Sequence, residues 1–85
     1  MNYTVAINKQ VIKTLEGINE PYYTKIKTAI YALGTNPRPT GYKKLKGREA
    51  AYRIRVADYR IIYEILDQFL LVKIIDAGHR KNIYQ

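Results

Sequence analysis

The sequence predicts an α+β domain in which a helical hairpin packs on one face of a small twisted, mainly antiparallel β-sheet. Apolar residues recur at helical spacing in the first half of the chain, whereas the second half alternates between apolar and polar residues, as strands do. Turn-forming residues separate these segments. The predicted order is β-α-α-β-β-β-β, and 85 residues suffice for one domain, residues 1–85, with a single core.

The first predicted elements are a strand and a short helix. Tyr3, Val5 and Ile7 alternate with small or polar residues, which is typical of a strand with one buried face. Asn8 is a favoured N-cap, and the glycine at position 17 is expected to fray the end of the helix that follows. The apolar stripe of this helix is predicted to contain Val11, Ile12, Leu15 and Ile18.

A second helix is predicted to follow at once and to form a hairpin with the first. Asn19 or Glu20 can cap it, and Pro21 suits its first turn because the missing N–H would have no partner there. Gly34 is expected to end it. Its buried stripe is predicted to contain Tyr22, Ile26, Ala29, Ile30 and Leu33.

The connection to the remaining strands is predicted to be a loop. Prolines at 37 and 39 lack a backbone donor and bias their predecessors towards extended geometry, so residues 35–41 cannot continue a helix. Tyr42–Lys46 is predicted to be a short strand, followed by a turn at 47–50.

The rest of the sheet is predicted from alternation and from turns. Tyr52–Ile65 is expected to form a hairpin that turns at Ala57 and Asp58. After a turn at Asp67, the segment Phe69–Ala77 is apolar at most positions, which predicts a strand buried on both faces and ended by Gly78. The tail 79–85 is expected to fold back along the sheet.

The hairpin carries a cluster of like charges. A side-chain period of two places Arg53, Arg55 and Arg60 on one face of the sheet, opposite the apolar face. Mutual repulsion opposes folding, and an arginine does not relieve it by losing its proton, so binding of an anion is one explanation. A solvated polar face is the other.

Composition and charge narrow the class of protein. The formal net charge is +8, and eight of the fifteen Lys and Arg residues fall between Arg38 and Arg60, which favours a polyanionic partner. The absence of cysteine excludes disulfides and thiolate metal sites. No apolar run reaches membrane-spanning length and the start does not resemble a signal peptide, so no membrane partner and a cytoplasmic location are expected.

The residue inventory restricts the chemistry. Serine and cysteine are absent and there is one histidine, so a Ser-His or Cys-His pair cannot form, and the scattered acidic residues predict neither a metal site nor a cofactor. What remains suits a reaction whose substrate supplies its own nucleophile. RNA does so, because its 2′-hydroxyl attacks the adjacent phosphate while cationic groups stabilise the developing charge.

Three motifs together resemble the RelE branch of the RelE/ParE toxins of bacterial and archaeal toxin–antitoxin modules. They are Leu45-x-Gly47, Tyr52-Arg-Ile-Arg-Val-x-Asp-Tyr-Arg60-Ile-Ile-Tyr, and Gly78-His-Arg80-Lys-x-Ile-Tyr84. The resemblance spans nearly the whole chain. It implies a RelE-like, microbial-RNase-like sheet fold, cleavage of messenger RNA in the ribosomal A site, and inhibition by a co-expressed antitoxin.

The resemblance also assigns expected roles. It implies that Arg60 and Arg80 hold the scissile phosphate, that Arg53 and Arg55 steady the backbone and leaving group, and that Tyr84 stacks on a base. Some relatives carry lysine where Arg53 and Arg55 stand, and lysine can serve as a general base whereas arginine practically cannot. The base is therefore left open between Tyr84 and His79, either of which could instead be structural.

Other residues are expected to bind rather than react. Tyr52, Tyr59 and Tyr63 fall on the apolar face and are expected in the core. The lysines and arginines expected to contact ribosomal RNA or the antitoxin are Lys43, Lys44, Lys46, Arg48 and Lys81. Two alternatives are retained: a ParE-like inhibitor of DNA gyrase with the same fold, and a non-catalytic RNA-binding module.

Overall fold

A computed structural model describes residues 2–47 and 50–79. Its elements follow the predicted order. The strands and helices are β1 (Thr4–Ile7), α1 (Lys9–Glu16), α2 (Tyr22–Ala32), β2 (Lys43–Lys44), β3 (Ala51–Val56), β4 (Tyr59–Leu66) and β5 (Leu71–His79), with a 3₁₀ turn over Asp67–Phe69 before β5. Within the described ranges, no helix is long and apolar enough to cross a membrane.

The strands form one sheet in the order β1-β5-β4-β3-β2. β1 runs parallel to β5, and the other neighbouring pairs are antiparallel. The first helix packs on β5 and the second on β3, which leaves the opposite face of the sheet without a helix from the described residues. The predicted fold class is therefore confirmed.

Helix α1 begins and ends where the sequence predicts. The Asn8 side chain accepts a hydrogen bond from the Gln10 amide at 2.7 Å, and Gly17 follows the last turn. Val11 and Leu15 are buried. The inclusion of Ile12 in the buried stripe is wrong, because its side chain is 41% exposed. Ile12 lies about 100° around the helix from Val11, so its side chain falls outside the face of α1 that packs on β5.

Pro21 occupies the N-cap position of helix α2, and the preceding Glu20, one of the two residues predicted to cap the helix, bonds to its first turn. The Glu20 carboxylate accepts hydrogen bonds from the Thr24 amide at 3.1 Å and the Thr24 hydroxyl at 2.8 Å. Ile26, Ile30 and Leu33 are fully buried as predicted. Tyr22 is 41% exposed, so its place in the buried stripe is wrong; Tyr23, one position on, packs against the core instead.

The end of α2 approaches β1 closely at Gly34. The Tyr3 amide donates to the Gly34 carbonyl at 2.7 Å. A Cβ atom at position 34 would lie 3.0 Å from the Tyr3 carbonyl oxygen and 3.1 Å from the Val5 Cγ2 atom. The absence of a side chain at this position is therefore what permits the contact between helix and strand.

Two strand boundaries differ from the sequence prediction. β2 contains two residues, not the five of Tyr42–Lys46; a turn at Gly41 (φ +90°) precedes it and a turn at Gly47 (φ +81°) follows it. β5 begins at Leu71, after Leu70 adopts a left-handed conformation, and it continues through Gly78 to His79. Gly78 therefore does not end the strand.

The fifth strand is also less buried than predicted. Lys73 and Asp76 are exposed, so β5 is not covered on both faces. A β-bulge inserts one extra residue into β5 between the pairs Tyr63–Ile74 and Ile62–Asp76. The bulge reverses the alternation, and as a result Ala77 and His79 lie on the helix side together with Val72 and Ile74.

The core contains the tyrosines that the sequence assigns to it. Tyr63 is fully buried, and its hydroxyl donates to the Pro37 carbonyl at 2.8 Å, while Tyr52 and Tyr59 pack against the buried cluster. Burial raises the pKa of Tyr63 to about 12. The prediction that these three rings belong to the apolar face is confirmed, and the loop containing Pro37 is held to the sheet by one of them.

Candidate functional site

The face of the sheet that is turned away from the helices carries four basic side chains on β2, β3 and β4, and Glu64, Lys73 and Asp76 lie on the same face. Tyr52 and Ile54 pack with the helices, so strand alternation directs Arg53 and Arg55 to the other side. The cross-strand partner of Arg55 is Arg60. Lys43 on β2 pairs with Arg53 and extends the same row. We call the face formed by Lys43, Arg53, Arg55 and Arg60 the arginine face.

The arginine face is crowded with positive charge. Partial burial lowers the pKa of Arg53, and the charges of Arg55 and Arg60 lower it further. Arg60 is half-buried, with its Nε atom enclosed. Because guanidinium groups remain protonated at any ordinary pH, an anion placed between them relieves repulsion that loss of a proton cannot relieve. The face is thus suited to bind phosphate through several donors at once.

The structure does not place His79 with these arginines. His79 pairs with Tyr59 on the helix side, where the two rings meet edge to face with centroids 5.5 Å apart. The pair continues to Tyr22, whose ring centroid lies 5.8 Å from that of Tyr59. The imidazole is half-buried in this aromatic group, on the opposite side of the sheet from the three arginines.

The predicted binding lysines are divided between the two sides of the sheet. Lys43 belongs to the arginine face, whereas Lys44 pairs with Tyr52 and so lies on the helix side of the same edge strand. Lys46 is exposed in the turn after β2. The remaining predicted site residues, Arg48, Arg80, Lys81 and Tyr84, lie outside the described residues.

One polar network was not anticipated from the sequence. The Arg38 guanidinium contacts the Asp67 carboxylate, with Nη2 2.8 Å from Oδ2, and the Tyr3 hydroxyl donates to Oδ1 of the same carboxylate. Hydrogen bonds from Arg38 and Tyr3 hold the pKa of Asp67 below its ordinary value, and the bond to Asp67 raises the pKa of Tyr3. The network connects three segments: the start of the chain at Tyr3, the proline loop (residues 35–41) at Arg38, and the 3₁₀ turn before β5 at Asp67.

No sequence pattern could have revealed this network, because its members are 29 and 64 residues apart. The network lies away from the arginine face and serves the fold. Across residues 2–47 and 50–79, no three His, Cys, Asp or Glu side chains gather where they could hold a metal ion. The site therefore consists of basic side chains on a sheet, supported by a helical hairpin on the other side.

A helical hairpin on a five-stranded sheet with a basic outer face is the architecture of a small toxin of type II toxin–antitoxin systems. A family model described as the ParE toxin of the type II toxin–antitoxin system parDE matches residues 5–84. The RelE1 protein of Methanocaldococcus jannaschii is 32% identical, over all of this chain and 98% of that protein. The chain belongs to the RelE/ParE toxin superfamily.

Solved structures agree with this assignment. RelE in the archaeal RelE–RelB complex from Pyrococcus horikoshii OT3 is similar at 32% identity with a TM-score of 0.83, covering 94% of this chain and 97% of that one. RelE in the RelB–RelE antitoxin–toxin complex from Methanococcus jannaschii is 27% identical with a TM-score of 0.77, covering 94% and 95%. The isolated E. coli RelE toxin shares the fold at 22% identity, with a TM-score of 0.78 and coverage of 91% and 83%.

Proposed function

We propose that this toxin is a metal-independent endoribonuclease that cleaves messenger RNA in the ribosomal A site and thereby inhibits translation. The observation that carries the proposal is the arginine face, where three guanidinium groups and one ammonium group meet on an open sheet surface. Such a surface matches the RNA backbone. In this reaction the RNA supplies its own 2′-hydroxyl as nucleophile, so the protein need only position the phosphate and stabilise its charge.

The proposed roles are those that the resemblance to the RelE toxins implies. Arg60, with Arg80, holds the scissile phosphate, and Arg53 and Arg55 steady the adjoining backbone and the leaving group. His79 lies on the other side of the sheet, paired with Tyr59. This separation favours Tyr84 as the residue that stacks on a base and takes part in proton transfer. Lys43 extends the cationic row towards the neighbouring RNA backbone.

The proposed partners are the ribosome with its mRNA and a cognate antitoxin, in the cytoplasm. A cationic surface binds nucleic acid indiscriminately unless it is covered, so an inhibitor that offers carboxylates to the arginines is expected. The two archaeal relatives described above were solved as complexes with RelB. Lys44 and Lys46, with Arg48 and Lys81, are proposed to contact ribosomal RNA or this antitoxin.

Inhibition of DNA gyrase is the second candidate function. The observation in its favour is the description of the matching family model, which is that of ParE. The set of basic residues at positions 53, 55, 60 and 80, together with Tyr84, favours the ribonuclease, because ParE-like members typically lack this complete set. The two activities differ in their product: one cleaves RNA, and the other causes gyrase-dependent DNA damage.

Inducible expression in E. coli distinguishes these possibilities. The wild-type chain should arrest growth and produce mRNA ends within codons, mapped by primer extension, and co-expression of the product of the neighbouring reading frame should restore growth. Arg60→Gln should reduce cleavage by about a hundredfold or more, as loss of a charge-stabilising donor does. Lys9→Gln, on the exposed side of α1, is the matched control. DNA damage that depends on gyrase, without RNA cleavage, would refute the ribonuclease.

A further inference from the structure

The edge of the sheet next to β2 is only partly paired. β2 covers Tyr52 and Arg53 and no more of β3. Gly41 then turns the chain away, and the Tyr42 amide closes a tight turn by donating to the Pro39 carbonyl at 3.0 Å. The outer edge of Ile54–Val56 therefore has no strand beside it in the described part of the chain.

A groove of about 580 Å³ lies where β2 leaves β3. Its walls are the last turns of α2, the proline loop and the uncovered edge of β3. Pockets that bury small ligands measure about 300–1,000 Å³, so there is room for more than one apolar side chain. Small side chains, Ala29 and Ala32, line the groove from the helix, and Leu33, Ile54 and Val56 line it as well.

The uncovered edge presents hydrogen-bonding groups of Arg55. Val56 and Tyr59 flank the two-residue turn of the hairpin, so their main-chain groups face each other. Alternation along the strand then directs the main-chain N–H and C=O groups of Ile54 towards β4 as well. The main-chain groups of Arg55 point the other way, towards the groove. The Ala51 carbonyl has the same parity as Arg55, and it does point outward, since it accepts from the Leu45 amide at 2.9 Å.

We propose that this groove receives an extended segment of the antitoxin, which adds a short strand to β3 at Arg55 and whose side chains alternate apolar, acidic, apolar. This inference rests on the proposed function. In an added strand, the residue opposite Arg55 faces the arginine face, while its two neighbours face the helix side and enter the groove. A carboxylate at the central position meets Arg55 and Arg60, and apolar side chains fill the space beside Ala32.

Charge and lining identify this occupant. RNA has the negative charge but no apolar side chains to pack against the alanine, leucine, isoleucine and valine residues that line part of the groove. A second copy of the chain carries the same formal net charge of +8, so the two copies would repel each other. A strand with alternating apolar and acidic side chains can fill the groove and also pair with the adjoining guanidinium groups. It would then cover the arginines that RNA needs.

Peptide titration followed by NMR tests the strand. The probe is Ac-Thr-Leu-Glu-Leu-Thr-NH₂, added to ¹⁵N-labelled full-length protein at low salt. Amide signals of Ala32, Gly41 and Arg55 should shift. Three controls should bind at least about tenfold more weakly, the expected cost of losing one buried leucine or one charge-assisted contact. In the first control peptide each leucine changes place with the neighbouring threonine. In the second, lysine replaces the glutamate, and in the third the backbone nitrogen of the glutamate is methylated.

Protein variants test the groove itself. Ala32→Trp fills it from the exposed surface of the helix, whereas Thr28→Trp adds the same ring to another exposed position of α2 that does not line the groove. Ala32→Trp should weaken peptide binding by at least about tenfold, and Thr28→Trp should leave it unchanged. Equal binding of the exchanged or N-methylated peptide would overturn the added strand, and so would shifts confined to the arginine face.

The antitoxin complex separates this inference from the proposed function. If the wild-type chain binds the neighbouring frame's product and Ala32→Trp binds it equally well, the groove is not the docking site, although the toxin assignment stands. If the wild-type chain binds no such product and is harmless, the proposed function fails, and the peptide titration still decides whether the groove accepts a strand. Concentration-dependent dimers abolished by Ala32→Trp would assign the groove to a second copy instead.

Discussion

Arg55 on β3 stands directly opposite Arg60 on β4, on the side of the sheet that carries no helix of the described chain. Like charges in opposed positions destabilise a sheet by about 0.2–1 kcal/mol. Arg55→Gln should therefore increase the free energy of unfolding by about this amount while it reduces RNA cleavage. Urea denaturation at low salt measures the stability. Lys25→Gln on the exposed face of α2 is the control, and a less stable Arg55→Gln protein would contradict the account.

Lys43 and Lys44 are adjacent, equally charged and exposed, but they lie on opposite sides of the sheet. Lys43→Gln should weaken RNA binding and reduce the slope of log affinity against log salt by about one. Lys44→Gln should change both quantities less. Fluorescence anisotropy with a short RNA between 50 and 200 mM salt gives both slopes. Equal effects of the two substitutions would mean that RNA does not distinguish the arginine face from the helix side.

Gly34 permits the close approach of α2 to β1. A Cβ atom at this position would lie 3.0 Å from the Tyr3 carbonyl oxygen. The Tyr3 amide also donates a hydrogen bond to the Gly34 carbonyl, which holds the two backbone segments together. Gly34→Ala should reduce the free energy of unfolding by about 1–3 kcal/mol, the usual cost of overpacking. Gly17→Ala is the matched control, because its nearest contact is an ordinary 3.6 Å to the Thr14 carbonyl. Equal stability of the two variants would refute the packing argument.

The Arg38–Asp67 ion pair makes stability depend on pH in a predictable direction. Arg38 and Tyr3 hold the folded pKa of Asp67 below its ordinary value of 3.8, so the ionised carboxylate stabilises the fold. This contribution is present above the unfolded pKa and is lost as pH falls through the folded pKa. Asp67→Asn should therefore be less stable than wild type at pH 7. The difference should shrink below about pH 4 in thermal unfolding scans. A difference independent of pH would contradict the assignment.

Much of the fold could be predicted because its signals are local. Asn8 and Gly17 bound α1 through capping and turn geometry, and strict alternation in β3 placed Arg53 and Arg55 on one face. What the sequence could not show depends on contacts between distant segments. The β-bulge in β5 is an example: a strict period of two from Val72 would put His79 on the arginine face, whereas the extra residue moves it to the helix side.

The groove beside β3 was likewise hidden in the sequence. The residues Tyr42–Lys46 have the composition of a strand, and nothing in them shows that pairing with β3 begins only at Lys43, opposite Arg53. Gly41 turns the chain there with a positive φ angle, and the sequence cannot show this because a glycine adopts an extended conformation equally readily. The arginine cluster was therefore predictable from the sequence, but the edge that adjoins it was not.

The most direct test of the proposed function is the rate of cleavage of a ribosome-bound mRNA that carries one 2′-deoxy sugar immediately 5′ of the scissile phosphate. Removal of that hydroxyl removes the nucleophile, so cleavage at this site should fall below detection. An mRNA with the deoxy sugar one nucleotide further upstream should be cleaved normally, and both should bind equally well. Cleavage of the first substrate at an undiminished rate would contradict attack by the RNA's own 2′-hydroxyl, and with it the proposed mechanism.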